Sequence, residues 1–551
     1  MDKKSLIAIF VVGALWITYF IIFKPGQQVK KPIEVKKEET ASNELRDKTG
    51  PAAIRIKAAG AGVKENLVTV KTKKYNFTLS NRGAVMSDAV YLQRNIELIV
   101  KTTPYKTKGI FDFSVHFDDD EFLQGNSLDN VLWMQKDEDN RITFYTDAQL
   151  NGNPVRIEKI YSFPEDSNGF EVEYKFKNTG NKEISFKKSS IIISPGDMLG
   201  PELNFDNTYN KLHSIYSIGG SFKQEAKGGS GGFLLGCGSS STDEPLKKET
   251  GSINWAGIMS RYFLVIMIPQ NFSGTGVIHD NRKNDGFRTG MYVAIKGLEP
   301  GKEIKKSFKV YLGEKEKKNL AAFDKSITDA ADVNKIIEPI RNFVIWILLA
   351  INKPFGNLGL SLIIFSLLTK IVFMPLTIKS NESMKKMQQL TPVLNELKAK
   401  YKDKPDVMQK EMMKLYKEKG VNPMGGCFPL LLQMPFFFAL YSALINSIDM
   451  WHAPFIFWMK DLSMPDTVAV ISGFPVNILP VVMTATTILQ QKLSTVDTGG
   501  QQKMMMMMMP LIFIYIFWSM PSGLVLYWAL QNIFQILQQL YINYRAKTKE
   551  S

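Results

Sequence analysis

Cysteine and histidine are scarce. The 551 residues hold two cysteines, Cys237 and Cys427, and four histidines, His116, His213, His279 and His452. The histidines are scattered and form no H-E-x-x-H or similar ligand set, so no metal site is expected. One cysteine falls in a polar region and the other at the start of an apolar run. Opposite sides of a membrane are expected for them, so neither a disulfide nor a metal framework. There is no phosphate loop and no G-x-G-x-x-G. Gly228-Gly229-Ser230-Gly231-Gly232 fits a hydrolase elbow formally, but it lies in a Gly/Ser-rich tract without strand-to-helix context. Leu234-Leu235-Gly236-Cys237 is too far from the N-terminus for a lipidation box, and both stretches read as loop. No catalytic constellation emerges, so neither an enzyme nor a cofactor is expected. No basic–aromatic nucleic-acid motif accompanies the net charge of +15, so anionic lipid and ribosomal RNA rank ahead of DNA as acidic partners.

Long apolar runs are what the chain does have. The mean hydropathy of −0.09 averages a polar region and a membrane-spanning one. Leu358 to Ile378 is about 20 mostly apolar residues, enough at about 1.5 Å per residue to cross a bilayer core of roughly 30 Å. Lys370 sits inside it with no acidic residue nearby in sequence. A charge at that depth costs at least about 2.5–3.5 kcal/mol on insertion scales. It either snorkels to the interface or faces a wet cavity. The next charge on that side, Lys379, is nine residues on, roughly 13 Å along a helix, which is a long reach. Ser366 and Thr377 extend a polar stripe around Lys370, which favours the cavity.

Residues 1–23 carry Lys3 and Lys4 before an apolar run to Phe23. Phe23-Lys24-Pro25-Gly26 follows rather than a small-residue cleavage site, so an uncleaved signal anchor with a cytoplasmic N-terminus is expected, against a cleaved signal peptide. Residues 24–65, rich in Lys, Glu, Pro and Ala, read as a flexible linker. Residues 66–334 change period. Phe170-Glu171-Val172-Glu173-Tyr174-Lys175-Phe176 alternates as a half-buried strand does, as do Phe308 to Leu312 and Asn76 to Leu79, with Asn151-Gly152 and Thr179-Gly180 as turns. A large all-β sandwich outside the cytoplasm is expected.

Residues 335–355 carry Ile336, Ile340, Phe343, Ile347 and Ile351 at helical spacing, and read as a helix on the outer membrane face, or else as a buried helix of the β-domain. After the Lys370 span, residues 379–420 form two apolar stripes in a lysine-rich background. One holds Met384, Met387, Leu390, Leu394, Leu397 and Tyr401, the other Met408, Met412, Leu415 and Tyr416. Lys402 to Pro405 separates them, giving a helical hairpin that its lysines place in the cytoplasm. Further apolar runs span Cys427 to Asn446 and Pro475 to Gln490, and Met504 to Ile542 is split in two by Pro521-Ser522-Gly523. Ser447 to Asp466 reads as an outer loop, Lys492 to Lys503 as an inner one, and 545–551 as a basic cytoplasmic tail. Six transmembrane helices put both basic ends inside. Tyr527, Gln531, Gln535 and Gln538 line one face of the last span, with Asn532 and Gln539 beside them. They either bond neighbouring helices or, with Lys370, Ser366 and Gln433, wet a groove. The run Met504 to Met509 suits either a surface accepting varied apolar partners or a lipid-facing helix start.

Asn422-Pro423-Met424-Gly425-Gly426-Cys427-Phe428-Pro429-Leu430-Leu431-Leu432-Gln433-Met434-Pro435 resembles the signature of the YidC family of membrane protein insertases. Pro521 to Trp528 and Phe373 to Thr377 resemble two more of its segments, and Leu79 to Gly83, Trp255 to Ile258 and Arg261 to Phe263 resemble its periplasmic domain. The resemblance implies a multi-pass inner-membrane protein of a Gram-negative bacterium with a periplasmic β-sandwich. Its core, residues 356–544, would be five spans around a hydrophilic groove closed on the outside. It implies a cytoplasmic hairpin, no cofactor and no small-molecule substrate. Nascent membrane proteins, the ribosome and the Sec translocon are the implied partners. Lys370 stands where the family usually has arginine, keeping the charge but not the bidentate fork. Ser366 matches a small hydroxyl residue and Trp528 an aromatic that touches substrate, and Gln433, Tyr527 and Gln531 complete the expected groove. A transporter using the intramembrane lysine is the rival reading, although no repeat or second buried charge accompanies it.

Overall fold

The computed structural model describes residues 54–55, 64–99, 113–124, 128, 131–150, 152–186, 189–196, 199–201, 212–226, 246–280, 288–331, 337–402, 404–421, 428–494 and 500–550. The stretch read as a signal anchor, most of the linker, the Gly228–Cys237 tract and the Asn422–Cys427 part of the signature lie outside these residues. The chain divides into two compact units between Asp332 and Val333.

The first unit is antiparallel β-structure. Strand Gly169–Asn178 pairs with Asn153–Ser162 on one side and Glu303–Glu314 on the other. The sheet continues from Glu303–Glu314 through Phe263–Pro269, Leu246–Met259, Gly274–Asp280 and Arg288–Ala294, and in all holds fourteen strands among the described residues. Alternation explains it: Phe170, Val172, Tyr174 and Phe176 are buried while Glu171 and Lys177 face out. A second sheet of four strands, built around Tyr75–Ser80, packs its aromatic face on the first. The Phe77 ring lies 4.9 Å from that of Phe163 and 5.6 Å from that of Phe170, and the Tyr75 hydroxyl donates to the Leu312 carbonyl across the layers. Two sheets with interdigitated inner faces make the expected sandwich. Ile54–Arg55, inside the stretch read as linker, pairs with Leu150 and Gln149. Two short helices, α1 (Asp119–Gln124) and α2 (Lys317–Phe323), complete this unit.

The second unit is helical: α3 (Glu338–Phe355), α4 (Leu358–Lys400), α5 (Pro405–Glu418), α6 (Phe428–Asn446), α7 (Leu479–Ser494), α8 (Gly500–Phe517) and α9 (Ser522–Glu550). Gly356 ends α3 in the left-handed region at φ 63°, and the Asn357 side chain caps α4 by accepting from the Leu360 amide at 3.0 Å. Gly359 allows the next contact, since a Cβ there would lie 2.1 Å from the Phe455 ring. Val344 and Leu348 of α3 join the core of this unit with Phe365, Leu440, Leu444, Met483 and Leu524, so α3 is not a core helix of the β-domain. Its exposed side carries Phe343 and Trp346. Within α4, Leu358–Ser383 is 26 residues holding an 18-residue window of mean hydropathy 2.0, long and apolar enough to cross a membrane.

Three differences from the sequence reading have physical causes. First, α4 runs unbroken through Pro375 and Pro392, so the first arm of the hairpin continues the Lys370 span instead of starting anew at Lys379. A proline removes one helix hydrogen bond but need not end a helix whose neighbours hold it. The two stripes do meet, with Leu390, Leu394 and Val421 packed among Met387, Met412, Leu415 and Tyr416. Second, Pro475–Asn477 belongs to a strand: Thr467–Ile471 pairs with Phe474–Asn477, and α7 starts only at Leu479. Ser472-Gly473, both at positive φ, supplies the hairpin turn between β-branched runs. Third, α7 and α8 extend to Ser494 and from Gly500, shortening the inner loop, and α9 continues to Glu550, so the basic tail is helical almost to its end.

Candidate functional site: a polar seam among apolar helices

The polar face of α9 turns toward its neighbours. Gln433 of α6 donates through Nε2 to the Tyr527 hydroxyl at 3.1 Å. One turn on, Gln531 Nε2 donates to the Ser366 carbonyl and to Thr369 Oγ1 of α4, both at 3.0 Å. One turn further, the Lys370 ammonium donates to Gln535 Oε1. On the flank, Asn532 Nδ2 donates to Thr487 Oγ1 of α7 at 2.8 Å. The i, i+4, i+8 spacing of Tyr527, Gln531 and Gln535 makes this a single line of contacts along one helix.

Burial changes along the line. Tyr527 and Ser366 are fully buried, whereas Gln531, Gln535 and Lys370 are half-buried. The seam is closed at its Tyr527 end and accessible at its Lys370 end. Around it the outer faces are apolar and exposed, with Leu367, Leu368, Ile371 and Val372 on α4 and Ile533, Leu537 and Leu540 on α9. Such a belt suits lipid. Among the described residues no carboxylate pairs with Lys370; its partner is a neutral amide oxygen. A positive charge bordered by neutral dipoles leaves a field that attracts an anion.

Five of the six residues expected in a groove, Lys370, Ser366, Gln433, Tyr527 and Gln531, belong to this seam. Ser366 enters it through its backbone, because its hydroxyl donates to the Leu362 carbonyl at 2.7 Å. Trp528 points elsewhere: its ring lies 5.3 Å from Phe437, 5.7 Å from Phe513 and 5.4 Å from Phe517, in an aromatic cluster of α6 and α8. Adjacent helix positions differ by about 100° around the axis, so Tyr527 and Trp528 cannot share a face. Thr369 was missed, although it stands beside Lys370 and three residues after Ser366. Gln535 lay on the polar face read from sequence, yet nothing in its spacing singled it out as the partner of Lys370.

Residues 350–550 match the family described as 60Kd inner membrane protein, and residues 67–333 the YidC periplasmic domain. The chain is 31% identical, over 100% of its length and 98% of the relative's, to the membrane protein insertase YidC of Leptospira interrogans serogroup Icterohaemorrhagiae serovar copenhageni. It is 29% identical to that of Syntrophus aciditrophicus, over 99% of this chain and 100% of the relative. A crystal structure of an active YidC insertase with its first transmembrane domain resolved covers 89% of this chain and 95% of its own, at 17% identity and a TM-score of 0.36. These relatives are named insertases, which leaves the transporter reading without support. With matches running from the β-sandwich to the last helix, the chain is an inner-membrane protein and belongs to the YidC family of membrane protein insertases.

Proposed function

We propose that this chain receives nascent inner-membrane proteins at the Lys370 seam and releases their apolar segments into lipid, alone or beside the Sec translocon. The observation that supports the reading most is the half-buried Lys370 ammonium, held by a neutral amide at the accessible end of a line of polar contacts between α4, α6 and α9. Moving a polar tail across a bilayer costs mainly the desolvation of its charges. A polar notch partway across shortens the dry distance. Lys370 draws acidic tail residues toward it, and Gln433, Tyr527 and Gln531 offer hydrogen-bonding groups along the path. The substrate's apolar segment then moves out into lipid, driven by burial of apolar surface. No covalent step and no cofactor is required.

In this reading six helices cross the membrane. Residues 1–23 make the first crossing, 24–65 lead to the periplasmic domain at 66–334, and 335–355 lie at the outer interface. Residues 356–544 form the five-span core, with the cytoplasmic hairpin at 379–420, and both termini are cytoplasmic. The lysine-rich hairpin and the basic end of α9 face anionic lipid and receive the ribosome. The test is insertion of a substrate with an acidic outside tail in cells depleted of their own insertase. Lys370→Ala is expected to impair it and Lys370→Arg to support it; full insertion by Lys370→Ala rejects the electrostatic role.

A further inference from the structure

The hairpin Thr467–Ile471/Phe474–Asn477 is the one piece of β-structure in the described part of the helical unit, and it is oddly apolar for an exposed element. All five residues of its first strand are exposed, Val470 at 66% and Ile471 at 64%, and Phe474 at its turn is 59% exposed. Beyond the bulge at Val468, Val470 pairs with Pro475 on one face and Ile471 with Phe474 on the other, so both faces are apolar. No charged residue stands between Asp466 and Lys492.

Its base is firmly fixed. The buried Asp466 carboxylate accepts from Trp458 Nε1 at 3.0 Å and from the Ile478 and Leu479 amides at 3.0 and 2.7 Å, tying the hairpin to the first turn of α7. Trp518 at the end of α8 donates through Nε1 to the Pro475 carbonyl at 3.0 Å and sets its ring 5.4 Å from Phe474. The apolar surface does not stop at the hairpin. Val481 and Val482, two and three residues into α7, are exposed as well, so the hairpin continues the outer face of that helix.

We propose that this hairpin lies in the headgroup and upper acyl region of the outer leaflet and anchors the outer end of α7 and α8 to lipid. The proposal rests on the reading of α4 and α7 as membrane-crossing helices. Three features choose lipid over a protein partner. Apolar side chains on both faces suit a medium that surrounds the hairpin, where a flat partner surface would cover one face. The uncharged run is continuous with the lipid-facing side of α7. Trp458 and Trp518 at its base are the residue type that gathers at a membrane interface. Depth follows from the backbone. The outer edges of a two-stranded hairpin carry unpaired amide and carbonyl groups, which water and headgroups satisfy but hydrocarbon does not.

The test uses the full chain with Cys237→Ser and Cys427→Ser and one added cysteine bearing an environment-sensitive fluorophore, reconstituted in phosphatidylglycerol–phosphatidylcholine vesicles. Ile471→Cys is compared with Val372→Cys on the exposed face of α4 and Asp166→Cys on the surface of the β-domain. Lipids brominated near the top of their acyl chains are the quencher. The Ile471 label is expected to emit blue-shifted and to lose most of its emission to bromolipid, while the Asp166 label is unaffected. An Ile471 label that behaves like the one at Asp166 while Val372 is quenched overturns the proposal and leaves the membrane reading standing. A blue-shifted but unquenched Ile471 label reports a protein neighbour and overturns it too. Failure of quenching at Val372 as well brings down the membrane-crossing reading of α4, and the hairpin proposal with it.

Discussion

Lys370 on α4 and Gln535 on α9 are 165 positions apart in sequence and joined by a hydrogen bond, the ammonium donating to the amide oxygen. The pairing keeps a cation solvated by a dipole without cancelling its charge. Replacing the amide by a carboxylate is therefore the sharpest perturbation. At about 4 Å and an effective dielectric near 20, opposite unit charges attract by about 4 kcal/mol, enough to hold the lysine against a passing acidic tail. Gln535→Glu is expected to lower insertion of an acidic-tailed substrate as far as Lys370→Ala does, whereas Gln535→Leu keeps most of it. Equal insertion by Gln535→Glu and the unaltered protein would falsify the view that the free charge of Lys370 is what counts.

The contact of Gln531 with α4 is structural as well as polar. Its amide satisfies the Ser366 carbonyl and the Thr369 hydroxyl together, at 3.0 Å each. Gln531→Leu removes both bonds, but the Ser366 carbonyl keeps the Thr369 hydroxyl as a donor at 2.9 Å, so the expected loss is about 1 kcal/mol. Ser366→Leu is expected to cost a similar amount for another reason, because Ser366 is fully buried and extra methylenes must displace packed neighbours. Thermal unfolding of the detergent-solubilised protein measures both. A melting temperature unmoved by either substitution removes the seam as a stabilising contact between α4 and α9.

Most of the fold is legible in periodicity. The alternation at Phe170–Phe176 and the stripes at Met387–Leu394 and Met412–Tyr416 report which face is buried, and burial is what those patterns encode. The hairpin Thr467–Ile471/Phe474–Asn477 was hidden because it adjoins an apolar run and is itself apolar, so hydropathy merged the two. The continuity of α4 was hidden because its character changes from apolar to lysine-rich at Lys379, which marks a change of surroundings and not of backbone. At the site, spacing placed Gln531 and Gln535 on one face of α9, but which side chain each meets depends on how α4 is rotated. That information lies in packing between helices, and no single helix carries it.

The long arm of α4 beyond its apolar stretch depends on α5. Leu390, Leu394 and Val421 are its buried contacts, packed by Met412, Leu415 and Tyr416. Leu394→Ala is expected to cost about 2–3 kcal/mol of local stability. Lysines such as Lys402 and Lys410 should then be cut faster by trypsin in the folded protein, with the β-domain no more sensitive than before. An unchanged cleavage rate means that the two stripes do not hold the hairpin closed.

Acid should loosen the β-domain through its buried histidines. His279 lies in strand Gly274–Asp280, is 2% exposed, and sets its ring 5.3 Å from that of Tyr216, tilted by 33°. Burial, with a smaller push from Lys247, holds its pKa down at about 4. His116, fully buried against Phe122, is lowered in the same direction, first by burial and then by Arg288 and Lys159. In the unfolded chain a histidine binds its proton near pH 6.5. Between about 6.5 and 4 the unfolded state therefore carries a proton at position 279 that the folded state refuses, so stability falls as pH falls through that window. The loss attributable to His279 is of order 3 kcal/mol once pH passes below its folded value. His279→Leu removes the linkage while filling the same apolar site, so amide exchange protection of Gly274–Asp280 in the full chain should depend less steeply on pH. If that variant keeps the slope of the unaltered protein after correction for intrinsic exchange, the acid sensitivity arises elsewhere, and the burial of an unprotonated imidazole at this strand is not its cause.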